Sequence, residues 1–165
     1  MADSTASLLP AADLPEVRHF HQVDDRLFRG AEPSETGLET LAKLGIKTVV
    51  DLEPGRTRSR KEQSRAEALG MRYVNVPMNG LVAPSNDQIS KALAVIETGS
   101  EGPVFVHCRR GKDRTGTVVA CYRIVQDHWP NRKALAEARS LGMIIVEPGM
   151  QRYIPEYQPP YTASR

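Results

Sequence analysis

Cys108 opens a short run, His107-Cys108-Arg109-Arg110-Gly111-Lys112-Asp113-Arg114-Thr115-Gly116, in which five residues separate the thiol from Arg114. Three arginines and one lysine follow Cys108 within six residues, and cationic neighbours favour thiolate over thiol. Arg114 closes the run, and its planar fork matches two oxygens of a tetrahedral dianion. Gly111 lets the backbone turn without a side chain crowding that anion. Thr115 brings a hydroxyl that can steady the sulfur when it leaves, and Gly116 lets the next helix pack close to the strand. The chemistry these types support is attack of sulfur on phosphorus, with Cys108 as nucleophile, Arg114 as transition-state clamp, and Arg109, Arg110, Gly111, Lys112, Thr115 and Gly116 binding substrate. The bland alternative is a buried structural cysteine. Such cysteines sit in apolar surroundings, and four cations crowd this one.

Two elements must position the run. Val104 to His107 is the end of a buried strand, opened by Pro103, and an amphipathic helical run follows from Thr115 to about Asp127. A strand, a tight loop and a helix aim several backbone N–H groups at one small space, with the positive end of a helix dipole behind it.

The rest of the chain alternates strand and helix signals. Val17 to Phe28 reads as two short strands with Asp24-Asp25 as the turn. Ser34 is the expected N-cap of a helix carrying Leu38, Leu41, Ala42 and Leu44 and ending at Gly45, with Gly37 as its flaw. Ile46 to Leu52 reads as a central strand, Ser59 to Leu69 as a charged helix, Met71 to Val76 as a strand, and Pro77 to Pro84 as a loop. A helix enters at Pro84-Ser85-Asn86-Asp87 with Ile89, Leu93 and Ile96 inward, and Gly99 to Gly102 is a turn. Asn131 is the expected cap of a helix over Lys133–Leu141 with Leu135, Ala136 and Ala138 inward, and Met150 to Ile154 is a short helix. This pattern implies a single-domain α/β three-layer sandwich, a mostly parallel central sheet flanked by helices. Residues 1–16 read as a loose lead-in, 17–154 as the domain and 155–165 as an extended tail.

The chain has 165 residues, 40% hydrophobic and 25% charged, with a net charge of +2. That balance suits one soluble domain with a proper core and is too weakly basic to imply nucleic acid as a partner. Basic residues bunch instead at Arg56–Arg65 and Arg109–Arg114, which suits a small anion. Two cysteines, Cys108 and Cys121, make no disulfide framework, and a reactive thiol needs a reducing compartment, here the cytoplasm. No run reaches the ~18 apolar residues of a membrane span, and Met1–Pro10 lacks the features of a signal peptide.

The run HCRRGKDRTG resembles the signature loop of the cysteine-dependent protein tyrosine phosphatases, in their compact dual-specificity branch. Leu27–Pro33 (LFRGAEP) and GIKTVVDLE are similar to the first half of small bacterial, fungal and plant members. Lys112-Asp113-Arg114 resembles a subset that includes lipid- and protein-directed bacterial phosphatases and atypical phosphoinositide phosphatases. The resemblance spans about Leu27 to Ile154. It implies a phosphocysteine intermediate hydrolysed by water, with no metal and no cofactor. The substrate would be a phosphorylated protein, or alternatively a phosphorylated inositol or lipid. A phosphate-binding pseudo-phosphatase is a further alternative, and the oligomeric state stays open.

One departure from that family stands out. Its usual general acid, an aspartate from an upstream loop, has Asn79 in its place here. Asp113 inside the loop is the first candidate for the role and Asp87 the second. His107 is expected to order the loop by bonding backbone, and Asp51 to be a structural strand-end residue. Arg56, Arg58, Arg60, Lys61 and Arg65 either bind further phosphates or form a solvated face paired with Glu62 and Glu67. His19, His21 and His128 are expected at the surface or an interface. Cys121 is expected in the core, with oxidation partner of Cys108 as its other reading.

Overall fold

The computed structural model describes residues 14–98 and 101–160. Five strands, β1 (His21–Gln22), β2 (Leu27–Ala31), β3 (Thr48–Asp51), β4 (Arg72–Asn75) and β5 (Val104–Cys108), alternate with six helices. The helices are α1 (Glu35–Lys43), α2 (Thr57–Ala68), α3 (Asn86–Glu97), α4 (Asp113–Gln126), α5 (Asn131–Ser140) and α6 (Pro148–Glu156). The strands form one sheet in the order β1-β2-β5-β3-β4. β1 runs antiparallel to β2, which gives the hairpin expected around Asp24-Asp25, and the other three joins are parallel.

Every residue of β5 is buried, as befits a strand covered on both faces. Its side chains alternate between two cores. Val104, Val106 and Cys108 face the cluster with α3, α4 and α5, including Ile89, Val118 and Ala134. Phe105 faces the other way, onto Leu38 and Leu41 of α1 and Ala66 of α2. The expected three layers follow, and the loop after β5 opens at the carboxyl end of the central strand, where such sheets bind ligands.

Local chemistry sets most boundaries. Ser34 Oγ accepts from Gly37 N at 3.0 Å and caps α1. Gly45, at φ +94°, ends it. Gly37 is no flaw: a Cβ there would lie 2.5 Å from the Glu16 carbonyl oxygen, so the chain needs glycine where the two segments cross. Ser85 and Gln88 make a reciprocal capping box at α3.

Several details differ from expectation. Nine of the 14 residues of α4 are buried, so it is a central helix rather than an amphipathic one. It also starts at Asp113, two residues earlier than expected. Asn131 does not cap α5. Pro130 holds that position, and Asn131 Nδ2 instead donates to Ile154 O (2.9 Å) and Tyr157 O (2.8 Å), tying α5 to the end of α6. In α5 Ala134 and Ala138, spaced four apart, are buried and Leu135 packs half-buried against the core as expected, while Ala136 is exposed. Glu147 caps α6 through Gly149 N and Met150 N, and the helix runs through Pro155 to Glu156, with Tyr157 buried beyond it.

The start of the expected tail is therefore helical, while 161–165, residues 1–13 of the expected lead-in, and Gly99-Ser100 of the expected turn lie outside the described residues. Among the described residues no helix is long and apolar enough to cross a membrane.

Candidate active site

Cys108 ends β5 and Asp113 begins α4, so residues 109–112 alone make the turn. Cys108 is 2% exposed, and Gly111 N–H donates to its Sγ at 3.3 Å. That bond, with the α4 N-terminus one residue further on, stabilises negative charge on sulfur. Gly111 adopts φ +72°, and a Cβ there would stand 2.4 Å from Gly30 C and 2.5 Å from Gly30 O. Any side chain would therefore push the loop off β2.

Arg29 holds the loop from below. It sits in β2 opposite Val106, is 1% exposed, and donates from Nη2 to Gly111 O at 3.0 Å. Its Nε and Nη1 have no hydrogen-bond partner among the described residues, and burial lowers its pKa to about 10. This buried cation beneath the loop adds to the field that favours a bound dianion. The sequence reading passed over Arg29. Its signal was a lone charge inside the otherwise apolar strand Leu27–Ala31.

A second buried network ties β5 to α2. His107 is fully buried, and its Nε2 lies 2.6 Å from Glu62 Oε2 and 3.9 Å from Asp51 Oδ1. Its Nδ1 lies 3.3 Å from the Cys108 carbonyl oxygen, which fits the expected loop-ordering role. Burial pushes the imidazolium down, but the Glu62 hydrogen bond and charge, with Asp51, outweigh it and hold His107 at about 9. Burial pulls Glu62 up as well. The 2.6 Å contact shares one proton, and with Asp51 nearby that proton belongs on the ring.

Asp51 accepts from Glu53 N (2.9 Å), from Ser59 Oγ (2.9 Å) and from Tyr73 OH. The donor atoms of Asp51, Glu62 and His107 lie within 4.8 Å of one another, a grouping that could hold a cation. Their bonds are those of a proton-sharing network instead. Glu62, which one of the two readings of α2 put on a solvated face, is buried and bonded to His107 instead.

The open side is a cleft of about 410 Å³ lined by Glu53, Pro54, Arg56, Arg58, Ser59, Arg109 and Arg114. Arg114 Nη1 donates to Met78 O at 3.2 Å. That bond holds the guanidinium against the 77–84 loop, where Gly80 leaves it room. Glu53 is 8% exposed, and its carboxyl is pushed up by burial first, then by Glu32 and Asp51. It is an acid of the cleft that the sequence reading did not single out.

Asp113 Oδ1 accepts from Ile144 N at 3.0 Å, and among the described residues the other carboxylate oxygen accepts no hydrogen bond. Asp87 is exposed in the first turn of α3, and the Asn79 side chain folds back to accept from Leu81 N.

Other singled-out residues find their places. Thr115 is fully buried, and its Oγ1 has no hydrogen-bond partner among the described residues. Lys112 lies along Gly142, where a Cβ would come within 3.1 Å of its Cδ. Arg110 is exposed. The close approach that Gly116 permits is to Met143, whose Cε would meet an added Cβ at 2.8 Å, rather than to the strand. Cys121 is buried in the core, where desolvation pushes its thiol up, so it is a poor partner for exchange with Cys108. His19 and His128 are exposed and His21 is half-buried.

Comparison with known proteins agrees with this geometry. Residues 15–144 match the family described as DSP-PTPase phosphatase fused to NAD+ kinase. The chain belongs to the dual-specificity-type tyrosine phosphatase family. Among curated relatives of this phosphatase-family chain, dual specificity protein phosphatase TpbA of Pseudomonas aeruginosa is 29% identical over 124 residues, covering 75% of this chain and 55% of that protein. Inositol diphosphatase DSP2 of Oryza sativa subsp. japonica is 34% identical over 121 residues, covering 70% of this chain and 58% of that one. The chain thus spans little more than half the length of these relatives. The crystal structure of P. aeruginosa TpbA superposes with a TM-score of 0.74 at 24% identity, covering 91% and 92% of the two chains. The catalytic core of the PP-IP phosphatase SIW14 from S. cerevisiae, in complex with citrate, gives 0.75 at 25% identity, covering 86% of each.

Proposed function

We propose that the protein is a phosphomonoester hydrolase that works without a metal through a phosphocysteine intermediate. One observation carries this reading: the Cys108 sulfur receives the Gly111 N–H at 3.3 Å within the loop whose Arg109 and Arg114 line the cleft. Sulfur attacks phosphorus, the bond to the leaving oxygen breaks, and that oxygen takes up a proton. Arg114 and the loop amides hold the equatorial oxygens as charge builds on them. Lys112, Arg109 and Arg110 supply further positive charge, and Thr115 steadies the departing sulfur when water cleaves the S–P bond.

Asp113 is the proton donor in this account. It stands at the first helical residue beside Arg114, with one oxygen fixed by Ile144 and the other left for the leaving group. Asp87 sits in another element with its carboxylate exposed.

A phosphorylated protein side chain is the first substrate class, as the TpbA relationship suggests. The four-arginine cleft favours a second reading, a phosphorylated inositol or inositol lipid, in keeping with the inositol diphosphatase relationship. Nucleic acid has no place in either. A thiol nucleophile in a chain whose two cysteines are both free fits a reducing compartment such as the cytoplasm.

The test is hydrolysis of para-nitrophenyl phosphate in excess chelator. Wild type should turn over and Cys108→Ser should be silent. Hydrolysis lost on chelation, or retained by Cys108→Ser, would overturn the reading.

A further inference from the structure

The cleft that opens beside the nucleophile loop is lined from two parts of the chain. Arg56 and Arg58, at the start of α2, line the same cleft as Arg109 and Arg114. We propose that Arg56 and Arg58 form a second phosphate subsite beside the nucleophile loop, so that the favoured substrate carries two phosphate groups close together. The proposal rests on the phosphatase reading and refines its substrate class.

Three observations carry it. The lining holds four guanidinium groups and one carboxyl, Glu53, and its only side chain without a polar group is Pro54. A phenyl ring would find no aromatic or branched aliphatic surface there, whereas a second phosphate would find charge-assisted donors in fork geometry.

Second, the arginines are available. Arg56 is exposed and makes no side-chain hydrogen bond or ion pair among the described residues. Arg58 pairs with Glu32 at 3.1 Å across a surface where 60% of its side chain is exposed, and such pairs hold weakly.

Third, the wall is held in place from beneath. Ser59 Oγ bonds Asp51 Oδ2 at 2.9 Å, and Glu62 bonds His107 at 2.6 Å, the residue before the nucleophile. The start of α2 therefore keeps its distance from Cys108. The same helix start breaks the usual rules in the direction a ligand would mend. No side chain caps it and its first turn has no acid, although helix N-termini favour negative charge. The cleft rather than the helix end defines the site, and an anion held by Arg56 and Arg58 would also supply the missing charge.

The ligand chemistry is two phosphates on neighbouring positions of a small ring, or a phosphoanhydride. Both a free polyphosphate and a lipid headgroup present it. The test is calorimetric binding to Cys108→Ser protein of inorganic phosphate, pyrophosphate and inositol hexakisphosphate. The same titrations are run with Arg56→Ala, Arg58→Ala and, as control, Arg60→Ala, which removes an equal charge from α2 outside the cleft lining. The expected result is that pyrophosphate or the hexakisphosphate binds at least tenfold more tightly than phosphate. That preference should fall about tenfold with Arg56→Ala, less with Arg58→Ala, and hold with Arg60→Ala.

No preference for the multiply charged probes, or equal losses with Arg60→Ala, would overturn the subsite. Vesicles of phosphatidylcholine containing phosphatidylinositol 4,5-bisphosphate separate the sources. Arg56-dependent binding to them identifies a lipid headgroup, and Arg56-dependent binding of the hexakisphosphate alone identifies a free polyphosphate. Because the probes are read by binding, a wild type that binds them but cannot hydrolyse para-nitrophenyl phosphate would sink the catalytic reading and leave the subsite standing.

Discussion

Two basic stretches meet at the cleft, and they are built in opposite ways. The 109–114 loop is fixed from every side. Arg29 bonds Gly111 from below, Gly111 has no room for a side chain, and His107 and Thr115 are fully buried. The 56–60 stretch is open, uncapped and exposed, and only Ser59 ties it inward. A tight cradle suits a reaction whose transition state must be met in one geometry. A loose cationic wall suits recognition of groups that differ between substrates. The two are coupled through one buried element, the Glu62–His107–Asp51 network, which runs from α2 to the residue beside the nucleophile.

The comparison can be broken most sharply at the proton donor. On an alkyl phosphate, whose leaving oxygen needs a proton, Asp113→Asn should lower kcat by about a hundredfold or more, while Asp87→Asn should change it less than twofold. On para-nitrophenyl phosphate the Asp113→Asn loss should shrink. If Asp87→Asn or Glu53→Gln gives the larger loss on the alkyl phosphate, the donor is not in the loop.

The rigidity of the cradle is tested next by Gly111→Ala. The added Cβ meets backbone rather than a movable side chain, at a positive φ, so the fold should lose about 1–3 kcal/mol and kcat/KM should fall at least tenfold. An Ala variant with native stability and activity would show that the loop is softer than described.

The coupling network gives a pH signature. His107 rises from 6.5 to about 9 on folding, so the folded state binds the proton more tightly than the unfolded chain. Its contribution is fully present below pH 6.5 and is lost as pH rises through about 9. Thermal midpoints should therefore fall between those values. Glu62→Gln should lower stability at pH 6.5 and flatten the slope, and a slope unchanged in that variant would contradict the proton-sharing pair. The smallest effect is expected outside both stretches. Ser85→Ala removes the α3 capping box and should cost about 1 kcal/mol with activity intact, and a loss of turnover there would mean that α3 helps set the 77–84 loop.

The tight stretch was legible in the sequence because its chemistry is local. Cys108, Gly111, Arg114 and Thr115 fall within eight residues, so strand, turn and helix could be read around them. The α/β order, the parallel sheet and the caps at Ser34 and Ser85 were readable for the same reason. The loose stretch was legible only as two open readings, a site for further phosphates or a solvated face, because its placement is tertiary. Arg56 and Arg58 look like any charged helix face until the sheet brings α2 beside β5, and Glu62 looks like their surface partner until it turns inward to His107. Arg29 and Glu53 were passed over because only the fold places an ion beneath or beside the loop. Asn131 misled for a related reason: its side chain serves α6, some twenty residues away in sequence, rather than its own helix.

The most direct test of the central claim is rapid acid quench of wild-type protein during turnover of para-nitrophenyl phosphate, followed by peptide mass spectrometry. The account predicts one added phosphoryl group on the peptide containing Cys108, absent in Cys108→Ser and longer-lived in Asp113→Asn if that residue also helps activate water. Turnover with no phosphoryl group on Cys108, or with the group on another residue, would contradict it.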